Sequence, residues 1–137
     1  MTNAERWVEA WFRAWSGHDP DALAAVYARG PVQRSEPFRE RIAPRDYATW
    51  AFAEERSVEV WFAAPASETP EGAACEWWAV STDTSGQTVT LAGVSVLRFD
   101  ESGLVVDQRD YWSQRDGQHE PPEGWGPVAH HRRGGVV

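Results

Sequence analysis

The chain has 137 residues, with 13 basic and 21 acidic side chains and a formal net charge of −8. That balance lacks the basic footprint of a nucleic-acid binder, and a hydrophobic content of 42% with 9 tryptophans is too high for wholesale disorder. Cys75 stands alone, which excludes an intrachain disulfide and a metal centre built on several cysteines. The length suits one compact domain spanning 1–137.

The opening "MTNAERWVEAW" is charged and amphipathic, unlike a signal peptide. No apolar run approaches the ~20 residues of a transmembrane helix. The expectation is a cytoplasmic protein with neither membrane nor nucleic acid as partner. "TNAERWVEAWFRAWSG" predicts a first helix. Thr2 and Glu5 have capping-box spacing, Val8, Trp11, Phe12 and Trp15 recur at helical intervals, and Gly17 stops the run. "HDPDALAAVYARG" predicts a second helix, with Asp19 as N-cap, Pro20 in the first turn and Gly30 at the end. "APRDYATWAFAEE" predicts a third, with Tyr47, Trp50 and Ala51 on one side.

Between the second and third helices, "PVQRSE" reads as a short strand that ends on Glu36, directly before Pro37. Proline drives the preceding residue toward extended backbone, so the Glu36 carboxylate is held at a strand end. After the third helix the period changes to about two. "SVEVWFAA", "AACEWWAVSTD", "QTVTLAGVSVLRFD" and "GLVVDQRDYWS" read as strands, the last three joined by the tight turns "TDTSGQ" and "DESG" into a meander. Gly93 in the middle of the longest suits a bend. From Glu120 the chain is rich in Pro and Gly, and its end is expected to be mobile. Helices first and strands afterwards make an α+β layout.

An amphipathic helix running into "AWSGHDPDALAAVYA", the carboxylate before proline in "RSEPFRE", and the closing "GQTVTLAGVSVLRFDESGLVVDQRDYW" together resemble the nuclear transport factor 2-like superfamily, and within it the SnoaL-like proteins. The resemblance covers about residues 4 to 115. It implies a cone-shaped, curved, antiparallel or mixed sheet wrapped by three helices around a single pocket. Relatives include ketosteroid isomerase and polyketide cyclases. The isomerase places its general base before a proline at the end of the first strand, where this chain has Glu36. It also uses a tyrosine and a protonated aspartate as oxyanion donors, where this chain has Trp11 and Ser95. The resemblance turns Gly93, Ser95 and Leu97 inward from the long strand, Gln108, Asp110 and Trp112 from the last, and Glu76, Trp78 and Val80 from the strand before "TDTSG". Asp110 matches the acid/base aspartate of the SnoaL-type cyclases.

The expected site therefore has Glu36 and Asp110 as catalytic carboxylates. Trp11, Tyr27, Tyr47, Trp50, Glu76, Trp78, Ser95, Gln108 and Trp112 are the expected pocket residues. Each carboxylate has an alternative as a solvated or arginine-paired surface group, and each tryptophan as ordinary core. His18 reads as exposed, and His119 as leaning over the cavity mouth. His130 and His131 in the tail are too few for a metal site, Cys75 reads as packing, and no phosphate loop or G-x-S-x-G appears, so no cofactor is implied. Two functions stay open. One is a cofactor-independent acid–base enzyme on a small apolar molecule, of isomerase, dehydratase, cyclase or hydrolase type. The other is a non-catalytic module holding a small apolar or aromatic ligand, or a cation among tryptophans. The family resemblance also implies a homodimer through the outer sheet face, where Ala92, Val94 and Val96 make an apolar patch.

Overall fold

Helix α1 (Asn3–Gly17) begins where Thr2 Oγ1 accepts a hydrogen bond from the Glu5 amide at 3.1 Å, and ends where His18 takes the left-handed conformation (φ 49°). Its buried face is Ala4, Trp7, Val8, Trp11 and Ala14, spaced three and four apart, so each indole turns toward the sheet. These contacts come from a computed structural model, which describes residues 1–135.

The predicted second helix does not form. Only one 3₁₀ turn, Pro20–Leu23, follows the Asp19 cap, and the chain then straightens. The Ala28 amide donates to the Val105 carbonyl and the Val105 amide to the Val26 carbonyl. Pairing with the sheet outcompetes further helix and draws the Tyr27 side chain against α1. The third predicted helix is present as α2 (Pro44–Ala53), which opens with proline in its first turn. The described chain therefore has two α-helices, not three.

The strands are β1 (Gln33–Arg34), β2 (Glu55–Ala63), β3 (Ala66–Thr69), β4 (Gly72–Asp83), β5 (Thr88–Phe99), β6 (Val105–Asp116) and β7 (Val128–Gly135). They form one mixed sheet in the order β1-β6-β5-β4-β2-β7, with β3 beside β4. β1 runs parallel to β6, and the other pairs are antiparallel. The expected meander is β4–β5–β6, three strands of 12 residues each. At Gly93 a Cβ would lie 2.5 Å from the Tyr111 carbonyl and 2.9 Å from the Trp77 ring. Glycine is therefore what lets two large indoles, Trp77 and Trp112, flank β5 at its middle.

The tail departs most from expectation. Trp78 Nε1 donates to the His119 carbonyl at 2.7 Å, and Trp125 meets Trp78 edge-on, so residues 119–127 run over the outer face of the sheet. β7 then pairs with β2 along its length. His130 stacks on Phe12 and His131 on Trp61. Apolar ring faces order a segment whose composition reads as loose. A Cβ at Gly134 would sit 1.9 Å from the Ser16 carbonyl, so glycine is required where β7 crosses the end of α1. The predicted mobility of the last two residues falls outside the described residues.

Candidate functional site

A cavity of about 320 Å³ opens between the helices and the concave face of the sheet. This is the lower end of the ~300–1,000 Å³ range of small-molecule sites. Trp7, Trp11 and Trp15 of α1, Tyr47 and Trp50 of α2, and Trp77 and Trp112 of the sheet supply an apolar lining. Such a wall excludes water and raises the cost of any charge placed in it.

Asp110 is the central polar group. It lies on β6 opposite Ser95 of β5, both inward-facing and both buried. Its Oδ1 accepts from Ser95 Oγ at 2.6 Å and from Gln108 Nε2 at 2.9 Å, and its Oδ2 accepts from Gln33 Nε2 at 2.9 Å. Each donor is itself held. Ser95 Oγ accepts from Trp77 Nε1 at 3.1 Å. Gln108 Oε1 accepts from Trp7 Nε1 at 3.0 Å and from the Tyr27 hydroxyl, which accepts in turn from Trp7 and Trp11. Burial pushes the Asp110 carboxyl above the usual carboxylate range, and these three donors pull it back only in part. Among the described residues no cation pairs with it. Gln33 Oε1 is buried without a partner, an acceptor left unspent on the cavity wall. Tyr47 also lines the cavity. Burial first, then the Asp110 charge, push its phenol up to about 12, so it enters chemistry as a neutral donor.

A second polar cluster lines the same cavity. Glu55 at the start of β2 accepts from Ser81 Oγ at 2.6 Å and from Trp15 Nε1 at 3.1 Å, and lies 2.7 Å from His18 Nε2. Both members of the His18–Glu55 pair are buried, with side chains 3% and 8% exposed. Burial raises the Glu55 carboxyl above its ordinary value despite these donors. His18, expected at the surface, is instead buried and stacked on Phe52.

Of the residues picked out from sequence, Asp110, Ser95, Gln108, Trp11, Tyr47, Trp50 and Trp112 line the cavity. Tyr27 stands behind the wall, hydrogen-bonded to the lining residues Trp7, Trp11 and Gln108. Glu36 does not line it. Trp112 Nε1 donates to the Ser35 carbonyl at 2.6 Å and the chain turns there, so Gln33 and Ser35 face inward and Glu36 outward. Its carboxylate accepts from the Phe38 amide at 3.2 Å and closes its own turn. Glu76 and Trp78 also face away, Glu76 exposed and Trp78 under the tail segment. The β4 register puts Cys75 opposite Ser95 and Trp77 opposite Gly93, so the odd-numbered residues face the cavity and the expected inward set is displaced by one. Cys75 packs in the core, its thiol pushed up to about 12 by burial. His119 is exposed and its backbone serves the outer face, not the mouth.

Sequence reasoning missed Gln33, Arg39, Glu55, Trp77 and Ser81 as lining residues. A signal existed for β4: taking Glu76 as the solvent side of an alternating strand puts Trp77 and Ser81 inward. None existed for Glu55, which sits in the run "AEERS". Among the described residues no group of three or more His, Cys, Asp or Glu side chains could hold a metal ion, and no helix is long and apolar enough to cross a membrane.

A mixed sheet closed by helices over an apolar cavity is the nuclear transport factor 2-like fold of α+β proteins. The SnoaL-like domain model matches residues 8–108, and the chain belongs to that family. A search of curated proteins gave no match. Solved structures share the fold. RV0760c from Mycobacterium tuberculosis, in complex with estradiol-17beta-hemisuccinate, superposes with a TM-score of 0.69 at 19% identity over 84% of this chain and 99% of its own. Delta 5-3-ketosteroid isomerase from Mycobacterium sp. gives 0.65 at 20% identity over 82% and 95%. SalBIII, an epoxide hydrolase/cyclase-like enzyme of pyran ring formation in the polyether salinomycin, gives 0.66 at 16% identity over 84% and 95%.

Proposed function

We propose that the chain is a cofactor-independent acid–base enzyme acting on a small apolar molecule, with Asp110 as its proton-transfer group. The observation that carries this reading is a buried carboxyl, raised by desolvation and fixed by three neutral donors, in the wall of an indole-lined cavity. A general base needs a pKa near working pH and a fixed direction. Burial raises the first, and Ser95, Gln33 and Gln108 supply the second. When Asp110 takes up a proton, the Gln33 amide can turn over, presenting Oε1 to the acid and Nε2 to the cavity. Asp110 then keeps three hydrogen bonds in either protonation state. The neutral Tyr47 hydroxyl would donate to an oxygen that gains charge as the proton leaves. Isomerisation, dehydration, cyclisation and epoxide opening all use this pairing of a base with a neutral donor. The similar folds described as acting on or binding steroids and polyethers support an apolar, ring-containing substrate class.

The test is a panel of β,γ-unsaturated cyclic ketones and apolar epoxides, assayed by absorbance and by chromatography with wild type and Asp110→Asn. Turnover of at least one member, lost in the variant, is the expected result. Binding of panel members without turnover by either protein would leave the second reading, a ligand-holding module. The saturation of Asp110 by three donors favours that reading if no proton moves.

A homodimer through the outer sheet face belongs to the same proposal. Ala92, Val94 and Val96 are only partly buried there, beside an exposed Tyr111. Light scattering at micromolar concentration should report twice the chain mass, and a monomer would end the idea.

A further inference from the structure

We propose that Ser81 and Glu55 form a second recognition pole of the cavity, which takes a hydrogen-bond donor at the far end of an elongated apolar ligand whose other polar group meets Asp110. The inference rests on the reading of this cavity as a small-molecule site.

The two poles sit in different rows of the sheet. Asp110 and Ser95 share a row with Cys75 of β4, whereas Ser81 lies six residues further along that strand. Two indoles fill the wall between them. Trp77 donates to Ser95 at the first pole and meets Trp15 edge-on at 5.6 Å, and Trp15 donates to Glu55 at the second. A ligand that touches both poles must therefore span two aromatic widths with apolar surface.

The polarity of the second pole follows from where its hydrogens go. The Ser81 hydroxyl spends its hydrogen on Glu55 Oε2 at 2.6 Å, and the Trp15 N–H is spent on the same carboxyl. His18 approaches Glu55 from behind, stacked on Phe52, and does not line the cavity. What remains for a ligand is the lone pairs of Ser81 and any free lone pair of Glu55, which are acceptors only. The other titratable group lining this end is Glu54, also an acceptor when ionised. The one basic lining residue, Arg39, is held elsewhere, over the Trp50 and Trp112 rings at 5.9 and 5.8 Å. Ser81 and Glu55 therefore match a ligand hydroxyl or ammonium; the Gln114 amide, which also lines this end one row away on β6, is exposed.

The experiment is a tryptophan-fluorescence titration with three tetracyclic enones that differ only at the ring far from the enone: testosterone (hydroxyl), androst-4-ene-3,17-dione (carbonyl) and androst-4-en-3-one (neither). Testosterone should bind about tenfold more tightly than the unsubstituted enone, the worth of one hydrogen bond to a charge-linked acceptor. Ser81→Ala should erase that difference, read as the ratio of the two affinities. In Glu55→Gln the new amide can donate to Ser81, which frees the serine hydrogen and should shift preference toward the dione. Ser81→Ala removes only a hydroxyl, so it stands if Glu55→Gln fails to fold. Equal affinities for the three probes, or a dione preferred by wild type, would overturn the pole while keeping the cavity as a ligand site. Failure of all three to bind would overturn the cavity reading, and the pole with it.

Discussion

The cavity holds two buried carboxyls, and they are balanced differently. Asp110 is surrounded by neutral donors, two amides and a hydroxyl, with no cation beside it among the described residues. Glu55 has a serine, an indole and an imidazole, and the imidazole can carry charge. Without a counter-charge, proton gain or loss at Asp110 is opposed only by dipoles that can turn. At Glu55 the same change also involves a partner in the core. The first arrangement suits a group that must exchange protons with a ligand. The second suits a group that holds a shape.

The largest test of that contrast is Asp110→Asn. Loss of a positioned acid–base group costs ~100- to 10,000-fold in turnover, so steady-state assays of any active panel member should show a fall of that size. The same substitution should stabilise the fold at neutral pH. The carboxyl is raised in the folded state, so the folded protein keeps its proton to higher pH than the unfolded chain, whose aspartate titrates near ~3.9. The raised carboxyl therefore costs no stability below that value, and stability is lost as pH rises toward the folded pKa. The asparagine variant escapes this loss, and its side-chain amide can donate to the turned Gln33 Oε1. The melting temperature of the variant should exceed that of wild type at pH 7–8, with the gap closing near pH 4. A variant less stable at every pH would mean that Asp110 is a structural anion.

Removing the imidazole tests the other carboxyl. His18→Ala strips Glu55 of a buried partner, which should cost about 1–3 kcal/mol by chemical denaturation. The sign with pH is again that of a raised acid. Glu55 rises further without His18, so the penalty should grow as pH rises through the ordinary carboxylate range and shrink where Glu55 keeps its proton. Next in size is the apolar middle between the poles. Gly93→Ala forces a Cβ to within 2.5 Å of the Tyr111 carbonyl and 2.6 Å of Trp112 Cβ. Overpacking of this kind costs ~1–3 kcal/mol. Because Trp77 and Trp112 must shift, enone affinity should fall together with stability.

The contrast between poles also marks what the sequence made legible. Asp110, Ser95 and Gln108 could be found because the family resemblance implied which face of each long alternating strand turns inward, which alternation alone does not tell. The same logic misplaced β4 by one residue, since "ACEWWAV" carries large apolar residues on both faces: the outer one packs under the tail. The tail itself was illegible because its order comes from ring stacking on Phe12 and Trp61, not from propensity. The second helix failed for a related reason: Val26 and Ala28 trade helical bonds for bonds to Val105, a partner about eighty residues away that no local window contains. Glu55 and His18 meet only when the ends of α1 and α2 are brought together.

The smallest effect is expected at the residue that drew most attention in the sequence. Glu36 stands before Pro37, in the position a catalytic base takes in the resembling isomerase. Here β1 ends at Arg34, and the inward positions fall on Gln33 and Ser35. The Glu36 carboxylate closes a turn onto the Phe38 amide and lies 3.9 Å from Arg39, with both side chains substantially solvated. A half-exposed contact of that length is worth little. Glu36→Gln keeps an oxygen for the Phe38 amide, so stability should change by less than about 0.5 kcal/mol. Turnover should be unaltered, because Glu36 does not line the cavity. If Glu36→Gln instead lost activity on the scale expected of Asp110→Asn, the turn would have to reopen in the working protein and bring Glu36 inward. Glu36→Ala separates the two cases. It removes the turn-closing oxygen as well, so a structural role would appear in denaturation curves at unchanged turnover, and a catalytic one in turnover at unchanged stability.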